Sequence, residues 1–214
     1  YGDLYVRTLE RNDDGSLKTT QPEGTDYLIP VNGSDENSKM KYVGDMNAKW
    51  NLGWSNTFRY KDLTLSFLID AKIGGKVVSM TEATLDGYGV SQRTARDRDR
   101  GYVMRDGVKF TNVKAYYDTV GATSFNSVYN VEDYVYDATN VRMREISLGY
   151  TFRDLFGQSK HLTVALIARN LFFFYKDAPM DPDVSMGTGN GLQGFDIFNL
   201  PTTRSFGLNV KLNF

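Results

Sequence analysis

The chain has 214 residues, enough for one domain with a buried core, and its formal net charge of −1 gives no general attraction to nucleic acid or anionic lipid. It contains no cysteine, which excludes disulfides, thiolate metal sites and cysteine nucleophiles. Aromatic residues are abundant, yet the mean hydropathy of −0.42 is too low for a helical membrane protein, a limit that a β-barrel escapes because only alternate residues meet lipid.

The first part of the chain is predicted to be a loop and hairpin region that covers residues 1–47. It begins at Tyr1 without an initiator methionine or a signal peptide. We therefore expect the chain to be a C-terminal portion of a longer protein. The second region, 48–214, is predicted to hold the long strands.

Five segments alternate apolar and polar residues with a period of two, which places successive side chains on opposite faces of a strand. The segments are 50–60, 63–73, 146–152, 162–174 and 205–214. In the first of them, Asn56 is the exception on the apolar face. Upstream of Ile146, Val141 and Met143 carry the opposite parity. This predicts either a bulge near Arg144 and Glu145 or a strand that has already left the bilayer.

The last segment shows the pattern without interruption. Its apolar face consists of Phe206, Leu208, Val210, Leu212 and Phe214. A strand of about 9–11 residues crosses a bilayer at a tilt, and aromatic ends suit the two lipid–water interfaces. An edge strand of a soluble sandwich is the alternative that this strand alone leaves open.

The connections between these segments are unequal in length. Lys61 and Asp62 form a tight hairpin and 153–161 a short turn, whereas 74–140 and 176–204 are long loops. If Phe214 lies at the periplasmic side, both long loops fall outside the cell, as outer-membrane barrels require. The sequence therefore predicts an all-β fold, a part of a large transmembrane barrel. Its remaining strands would come from an N-terminal portion of the same protein, with copies of this chain as the alternative. Asp70, Lys72, Arg169 and Lys211 would face its lumen.

From about residue 42 onward, several motifs resemble SusC/RagA-type TonB-linked (TonB-dependent) outer-membrane proteins. They are Trp50–Lys61, Leu65–Asp70, Gly74–Val77, Asn140–Tyr150, Ala168–Phe172, Asp181–Asp183 and Leu200–Ser205. The resemblance implies a 22-stranded barrel with a plug in the outer membrane of a Gram-negative, Bacteroidetes-like cell, in contact with lipid and lipopolysaccharide. It implies import of an oligosaccharide or oligopeptide, a SusD-like surface lipoprotein as a lid, and energy from TonB–ExbB–ExbD through the plug, which would precede this chain.

The resemblance also assigns a role to the last strand. In outer-membrane barrels, an alternating strand closed by an aromatic residue is part of the signal read by the barrel assembly machinery. Phe206, Leu208, Val210, Leu212 and Phe214 would supply that signal here. The alternative is that Phe214 is one more aromatic residue of the interfacial belt.

The tyrosines of the first long loop are the predicted contacts for cargo or lid. They are Tyr102, Tyr116, Tyr117, Tyr129, Tyr134 and Tyr136. Tyrosine offers a flat apolar face and a hydroxyl, which suit sugar stacking or a protein interface, and packing of the loop on itself is the alternative. The interleaved Arg and Asp residues of 93–106 are interpreted as pairing with one another rather than binding nucleic acid.

Candidate catalytic and metal sites are sparse. His161 is the single histidine and falls in a predicted turn, and Asp181 and Asp183 flank a proline that favours a turn over acid–base chemistry. Family members often carry a calcium-loop-like stretch, but here Glu10 replaces its first Asp, and Gln21 stands where a bidentate carboxylate would close the loop. We therefore expect a plain turn at 10–21 rather than calcium, no cofactor and no enzyme. A soluble all-β carbohydrate-binding module is the alternative function.

Overall fold

The structure, a computed structural model, describes residues 2–33, 40–121, 131–153, 160–183, 187 and 193–213. The strands are β1 Asp3–Val6, β2 Thr19–Thr20, β3 Ile29–Pro30, β4 Lys41–Asp45, β5 Trp50–Tyr60, β6 Leu63–Ile73, β7 Lys76–Ser79, β8 Val103–Arg105, β9 Val108–Phe110, β10 Val135–Asp137, β11 Asn140–Phe152, β12 His161–Arg169, β13 Phe173–Lys176, β14 Phe195–Asp196 and β15 Ser205–Asn213. The helices are α1 Met80–Gly87, α2 Gln92–Arg100 and α3 Val113–Val120, with a 3₁₀ turn at Glu132–Tyr134. No helix within these ranges is long and apolar enough to cross a membrane.

The chain divides into two compact units. The sheet unit comprises residues 48–75, 137–184 and 200–214, and the loop unit comprises residues 1–47, 76–136 and 185–199. The long strands belong to the sheet unit, and the helices belong to the loop unit.

The sheet unit is one antiparallel sheet in which the long strands follow the order β15–β12–β11–β6–β5. The register places the apolar residues of neighbouring strands opposite one another. One row crosses all five strands through Phe58, Leu65, Leu148, Leu166 and Leu208. Phe58, Leu166 and Leu208 are 55–65% exposed, so this apolar face has no cover in the part of the chain that the structure describes. An uncovered apolar face of this extent is what the lipid side of a barrel wall presents.

The opposite face of the sheet is polar. Hydroxyl oxygens of Thr57 and Ser66 lie 3.1 Å apart on neighbouring strands, and those of Thr151 and Thr163 are also 3.1 Å apart. Cross-strand hydrogen bonds of this kind stabilise the sheet modestly. The alternation predicted from the sequence is therefore confirmed on both faces.

The bulge near Arg144 and Glu145 is confirmed. The β11–β6 register shifts between Met143 and Glu145, so that Met143 lies opposite Ile69 and Ile146 lies opposite Phe67. The extra residue restores the parity, which keeps apolar side chains on the same face before and after the bulge. β11 accordingly extends to Asn140 as one strand rather than starting at Ile146.

The predicted strand 162–174 is wrong as a single element. β12 ends at Arg169, and β13 pairs separately with the start of β11. Asn170 between them has a φ of 51°, a left-handed conformation that a strand cannot continue through. The Asn170 amide instead donates to the carbonyl oxygen of Arg144 at 2.9 Å, so the break in this strand sits against the bulge of its neighbour.

The long loop is folded over its described residues, 74–121 and 131–140. Each of its helices begins at a side-chain cap, because Ser79, Ser91 and Asn112 accept from the backbone amides of Glu82, Thr94 and Ala115. β7 is the centre of a three-stranded sheet with β10 and β14, and two clusters of buried residues form the core of the unit. The loop unit therefore has its own hydrophobic core, assembled from three separate stretches of the chain.

Candidate functional site

A cluster of charged residues lies on the polar face of the sheet where β6 and β11 pair. Arg142 lies opposite Asp70 in the register, and Asn140 lies opposite Lys72. Asp183, from the segment after β13, joins them. We call Asp70, Lys72, Arg142, Arg144 and Asp183 the charge cluster.

Three cations surround the carboxylate of Asp183. Lys72 Nζ is 2.7 Å from Asp183 Oδ1, Arg144 Nη1 is 4.0 Å from Oδ2, and Arg142 forms an ion pair with Oδ2 through Nη2. Asp70 Oδ2 lies 2.9 Å from Arg144 Nη2 and 3.9 Å from Arg142 Nε. These ion pairs offset part of the cost of removing the charges from water.

Burial within the charge cluster is uneven. Arg142 is only 2% exposed, and its guanidinium lies 5.9 Å from the ring centroid of Phe173. Its Nε and Nη1 donate to no acceptor among the residues that the structure describes. The side chains of Lys72 and Arg144 are each 39% exposed and form the open side of the cluster.

Asp181 holds the segment that carries Asp183. Its Oδ1 accepts from the Asp183 amide at 3.1 Å, and its Oδ2 accepts from the amide of Thr202 at 3.2 Å and from the Thr202 hydroxyl. The carboxylates of Asp181 and Asp183 therefore bind separate partners, as expected for a turn.

Of the residues predicted to face the lumen, Asp70 and Lys72 enter the charge cluster. Arg169 lies outside it and pairs with Glu145 at 2.7 Å, and Lys211 lies opposite Thr163 in the β12–β15 register. The sequence analysis did not identify Arg142 and Arg144 as partners of Asp70 and Asp183. The change of parity upstream of Ile146 could have indicated these pairings, because a bulge there places Arg142 on the polar face, opposite Asp70.

Most of the predicted contact tyrosines pack inside the loop unit. Tyr116, Tyr117 and Tyr134 are at most 4% exposed. The hydroxyl of Tyr117 donates to Asp97 at 2.6 Å, that of Tyr134 donates to Asp86 at 3.0 Å, and that of Tyr136 donates to Glu82. Burial disfavours direct contact of Tyr116 and Tyr134 with cargo or lid and fits the alternative, packing of the loop on itself.

Tyr117 and Tyr102 differ in burial, because Tyr117 is buried and Tyr102 is partly exposed. Tyr117 lines a cavity of about 580 Å³ between the three helices, together with Tyr88, Thr94 and Val113. The ring of Tyr102 packs against Lys109 and Arg100, whose charged groups lie 4.5 Å and 5.7 Å from its centroid. Contact with cargo or lid at these positions stays a prediction. Tyr129 and Phe214 lie outside the described residues.

Burial and neighbouring carboxylates control the ionisation of these tyrosines. Burial raises the pKa of Tyr134, and the charge of Asp86 raises it further. Burial and the hydrogen bond to Asp97 likewise raise the pKa of Tyr117. Arg93 lies between the two rings and pairs with Asp86; burial alone would lower its pKa, but the hydrogen bond to Asp86 raises it above the ordinary value. The raised pKa keeps Tyr117 and Tyr134 protonated, so that each hydroxyl donates a hydrogen bond to its carboxylate partner.

His161 is the first residue of β12 rather than part of the turn before it. It lines a polar cavity of about 410 Å³ at the hairpin end of the sheet, together with Arg59, Thr64, Thr151 and Arg153.

The stretch predicted as a plain turn rather than a calcium loop forms local hydrogen bonds. Asp14 Oδ1 accepts from the amide of Ser16 at 2.9 Å and from its hydroxyl, and Gly15 has a φ of 83°. The side chain of Gln21 donates to the carbonyl oxygen of Thr25. Whether this stretch binds calcium stays untested.

Comparison with known proteins finds similarity to a TonB-dependent receptor in sequence and to a peptide importer in fold. No family model matches it. It is 27% identical over 190 residues to TonB-dependent receptor P3 of Formosa agariphila, which covers 84% of this chain and 18% of that relative.

The fold resembles the solved structures of the RagAB peptide importer. The "open-open" state gives a TM-score of 0.63 at 12% identity and covers 99% of this chain, and the "closed-closed" state gives 0.59 at 12% identity and 98% coverage. This chain covers 22% of each matched structure, so it spans about a fifth of the length of its relatives. The resemblance to SusC/RagA-type TonB-linked transporters and the expected fold, a partial segment of a β-barrel, are confirmed.

Proposed function

Because the chain resembles TonB-linked transporters of the SusC/RagA type in sequence and in fold, we propose that it forms part of the wall of a barrel that imports a nutrient across the outer membrane of a Gram-negative bacterium. The observation that carries this proposal is the uncovered apolar face of the sheet unit, which crosses five strands in register. Such a face is stable only against lipid or another apolar surface.

The partners follow from this proposal. A barrel of this kind takes energy from TonB–ExbB–ExbD through a plug, binds a SusD-like lipoprotein over its extracellular loops, and carries an oligosaccharide or an oligopeptide. The folded core of the loop unit supports a role as a binding platform, because a preorganised surface loses less entropy when it binds than an unstructured loop does. The chain would do no covalent chemistry.

Uptake by intact cells tests the function. We expect cells that produce the full-length protein to accumulate labelled oligosaccharides or oligopeptides, and to lose that accumulation when the gene is deleted or when TonB is removed. A matched control is the full-length protein with a substitution on the polar face, such as Asn209→Gln. Accumulation that persists without TonB would contradict energy-coupled import.

Detergent dependence separates the transporter from the soluble carbohydrate-binding module. We expect the full-length protein to fractionate with outer membranes and to need detergent to stay monodisperse, because its apolar face requires cover. A protein that remains monodisperse in plain buffer and binds glycans there would favour the soluble module.

A further inference from the structure

We propose that the charge cluster is a binding site for an anionic oxygen group of the cargo, with a carboxylate as the ligand. This inference rests on the proposed function and names a chemical class for the transported molecule. Within the cluster, Lys72, Arg142 and Arg144 carry three positive charges, and Asp70 and Asp183 carry two negative charges. The neighbouring carboxylate of Asp181 also acts on Lys72 and Arg142, so the cluster and Asp181 together are balanced in charge, and what remains unused is hydrogen-bonding capacity.

The unused hydrogen-bonding capacity lies on Arg142. A guanidinium has five N–H donors in a planar fork, and Arg142 makes its close ion pair with Asp183 through Nη2 alone. Its Nε and Nη1 are buried and donate to no acceptor among the described residues. A buried charged donor that lacks an acceptor is costly, so an anionic ligand here would gain both charge pairing and hydrogen bonds.

Access to the site runs past Lys72 and Arg144, whose side chains are both partly exposed on the polar face. Asp183 shows the geometry in which a carboxylate fits, since its two oxygens lie within 4.0 Å of charged nitrogens of all three cations. A cargo carboxylate would bind beside Asp183 or exchange with it. In both cases Lys72 and Arg144 make the first contact, and Arg142 donates hydrogen bonds from the buried side of the cluster.

Two kinds of cargo supply this group, an acidic side chain of a peptide or a uronate of an oligosaccharide. The probes are therefore a glutamate-containing oligopeptide with its glutamine counterpart, and a uronate-containing oligosaccharide with its carboxyl-reduced counterpart. Each is measured for equilibrium binding to the full-length protein in detergent and for uptake by cells.

Lys72→Gln and Arg144→Gln are the test variants, because both side chains are partly exposed and their loss leaves Arg142 paired with Asp183. Arg169→Gln is the matched control, since Arg169 sits on the neighbouring strand and pairs with Glu145 outside the cluster. We expect each test variant to weaken binding of the acidic probe about tenfold, the size of one charge-assisted hydrogen bond, and to leave the neutral counterpart within about twofold.

The outcomes are distinguishable. An equal loss for acidic and neutral probes would overturn the inference and leave the cluster with a structural role only, and the same holds if the wild-type protein shows no preference for the acidic probe. Charge-selective binding that disappears in the variants, without any TonB-dependent uptake, would keep the anion site and overturn the proposed function. The probe class that shows the charge preference identifies the source of the carboxylate.

Discussion

Substitutions of single side chains on β12 and β15 test which face of the sheet meets lipid. Leu166 is 62% exposed and Val210 is 58% exposed on the apolar face, whereas Thr163 and Asn209 belong to the polar face. We expect Leu166→Arg and Val210→Arg to cost about 2–4 kcal/mol each, because a cation near the middle of the bilayer loses its hydration.

The matched substitutions on the other face are Thr163→Arg and Asn209→Arg, which we expect to be tolerated. Urea titrations of the full-length protein folded into lipid vesicles measure the difference in the free energy of unfolding. Equal destabilisation by both sets would contradict the face assignment.

The hydroxyl of Tyr134 is a second test at the level of one residue. It donates to the buried carboxylate of Asp86, which also pairs with Arg93. We expect Tyr134→Phe to destabilise the loop unit by about 1–3 kcal/mol, because the buried carboxylate of Asp86 loses a hydrogen-bond donor. Limited proteolysis of the full-length protein in native outer membranes measures the change.

Tyr102→Phe is the control for that experiment. The ring of Tyr102 packs against Lys109 and Arg100 through its face, a contact that phenylalanine keeps. If both variants are cleaved at the same rate, the hydrogen bond to Asp86 is not what stabilises the loop unit.

At the scale of elements, the sequence predicted β5 and β6 with their observed bounds, because period-two alternation is strong there and the Lys61–Asp62 hairpin is short. It did not predict the break between β12 and β13. The apolar run continues through Leu171 and Phe172, and the break lies against the bulge in β11, which is a neighbour in space but distant in sequence.

The helices of the loop unit were missed for a different reason. α2 consists of Gln92–Arg100 and is almost entirely polar, so no apolar stripe marks it as a helix. Its sequence signals are local instead, the cap at Ser91 and the left-handed Gly101 at its end. The charge cluster was only partly predicted, because Asp183 reaches Arg142 through the fold of a segment whose path the sequence does not encode locally.

Alkaline pH provides a test of the loop unit as a whole. Burial and neighbouring carboxylates raise the pKa of Tyr117 and Tyr134 above the ordinary value of about 10. Since the folded state keeps these protons longer than the unfolded state, their contribution is complete below pH about 10 and falls as the pH rises above it. Each tyrosine contributes a slope of up to about 1.4 kcal/mol per pH unit there.

We therefore expect the loop unit to open in the alkaline range while the sheet unit stays folded, as measured by amide hydrogen exchange of the full-length protein. Tyr117→Phe and Tyr134→Phe remove the titrating groups and should reduce the alkaline slope, although each variant starts from a lower stability. A slope that both variants retain would assign the opening to other groups.

At the scale of the whole molecule, the sheet unit cannot stand alone in a membrane. β5 and β15 are its edge strands and have no outer neighbour among the described residues. Lipid offers no partner for their backbone amides and carbonyls, so further strands must pair with both edges. The uncovered apolar face and the open edges both fit a partial segment of a β-barrel.

The orientation of that barrel is the last prediction. We expect Lys61 and Asp99 to lie on opposite sides of the membrane. Lys61 is in the hairpin before β6, Asp99 is on α2 in the long loop after β6, and β6 crosses the membrane once between them. This chain contains no cysteine, so Asp99→Cys and Lys61→Cys each introduce a single thiol into it. We expect a membrane-impermeant maleimide to label Asp99→Cys on intact cells and Lys61→Cys only after the outer membrane is permeabilised. The reverse pattern would place the long loops in the periplasm and exclude their contact with a surface lipoprotein.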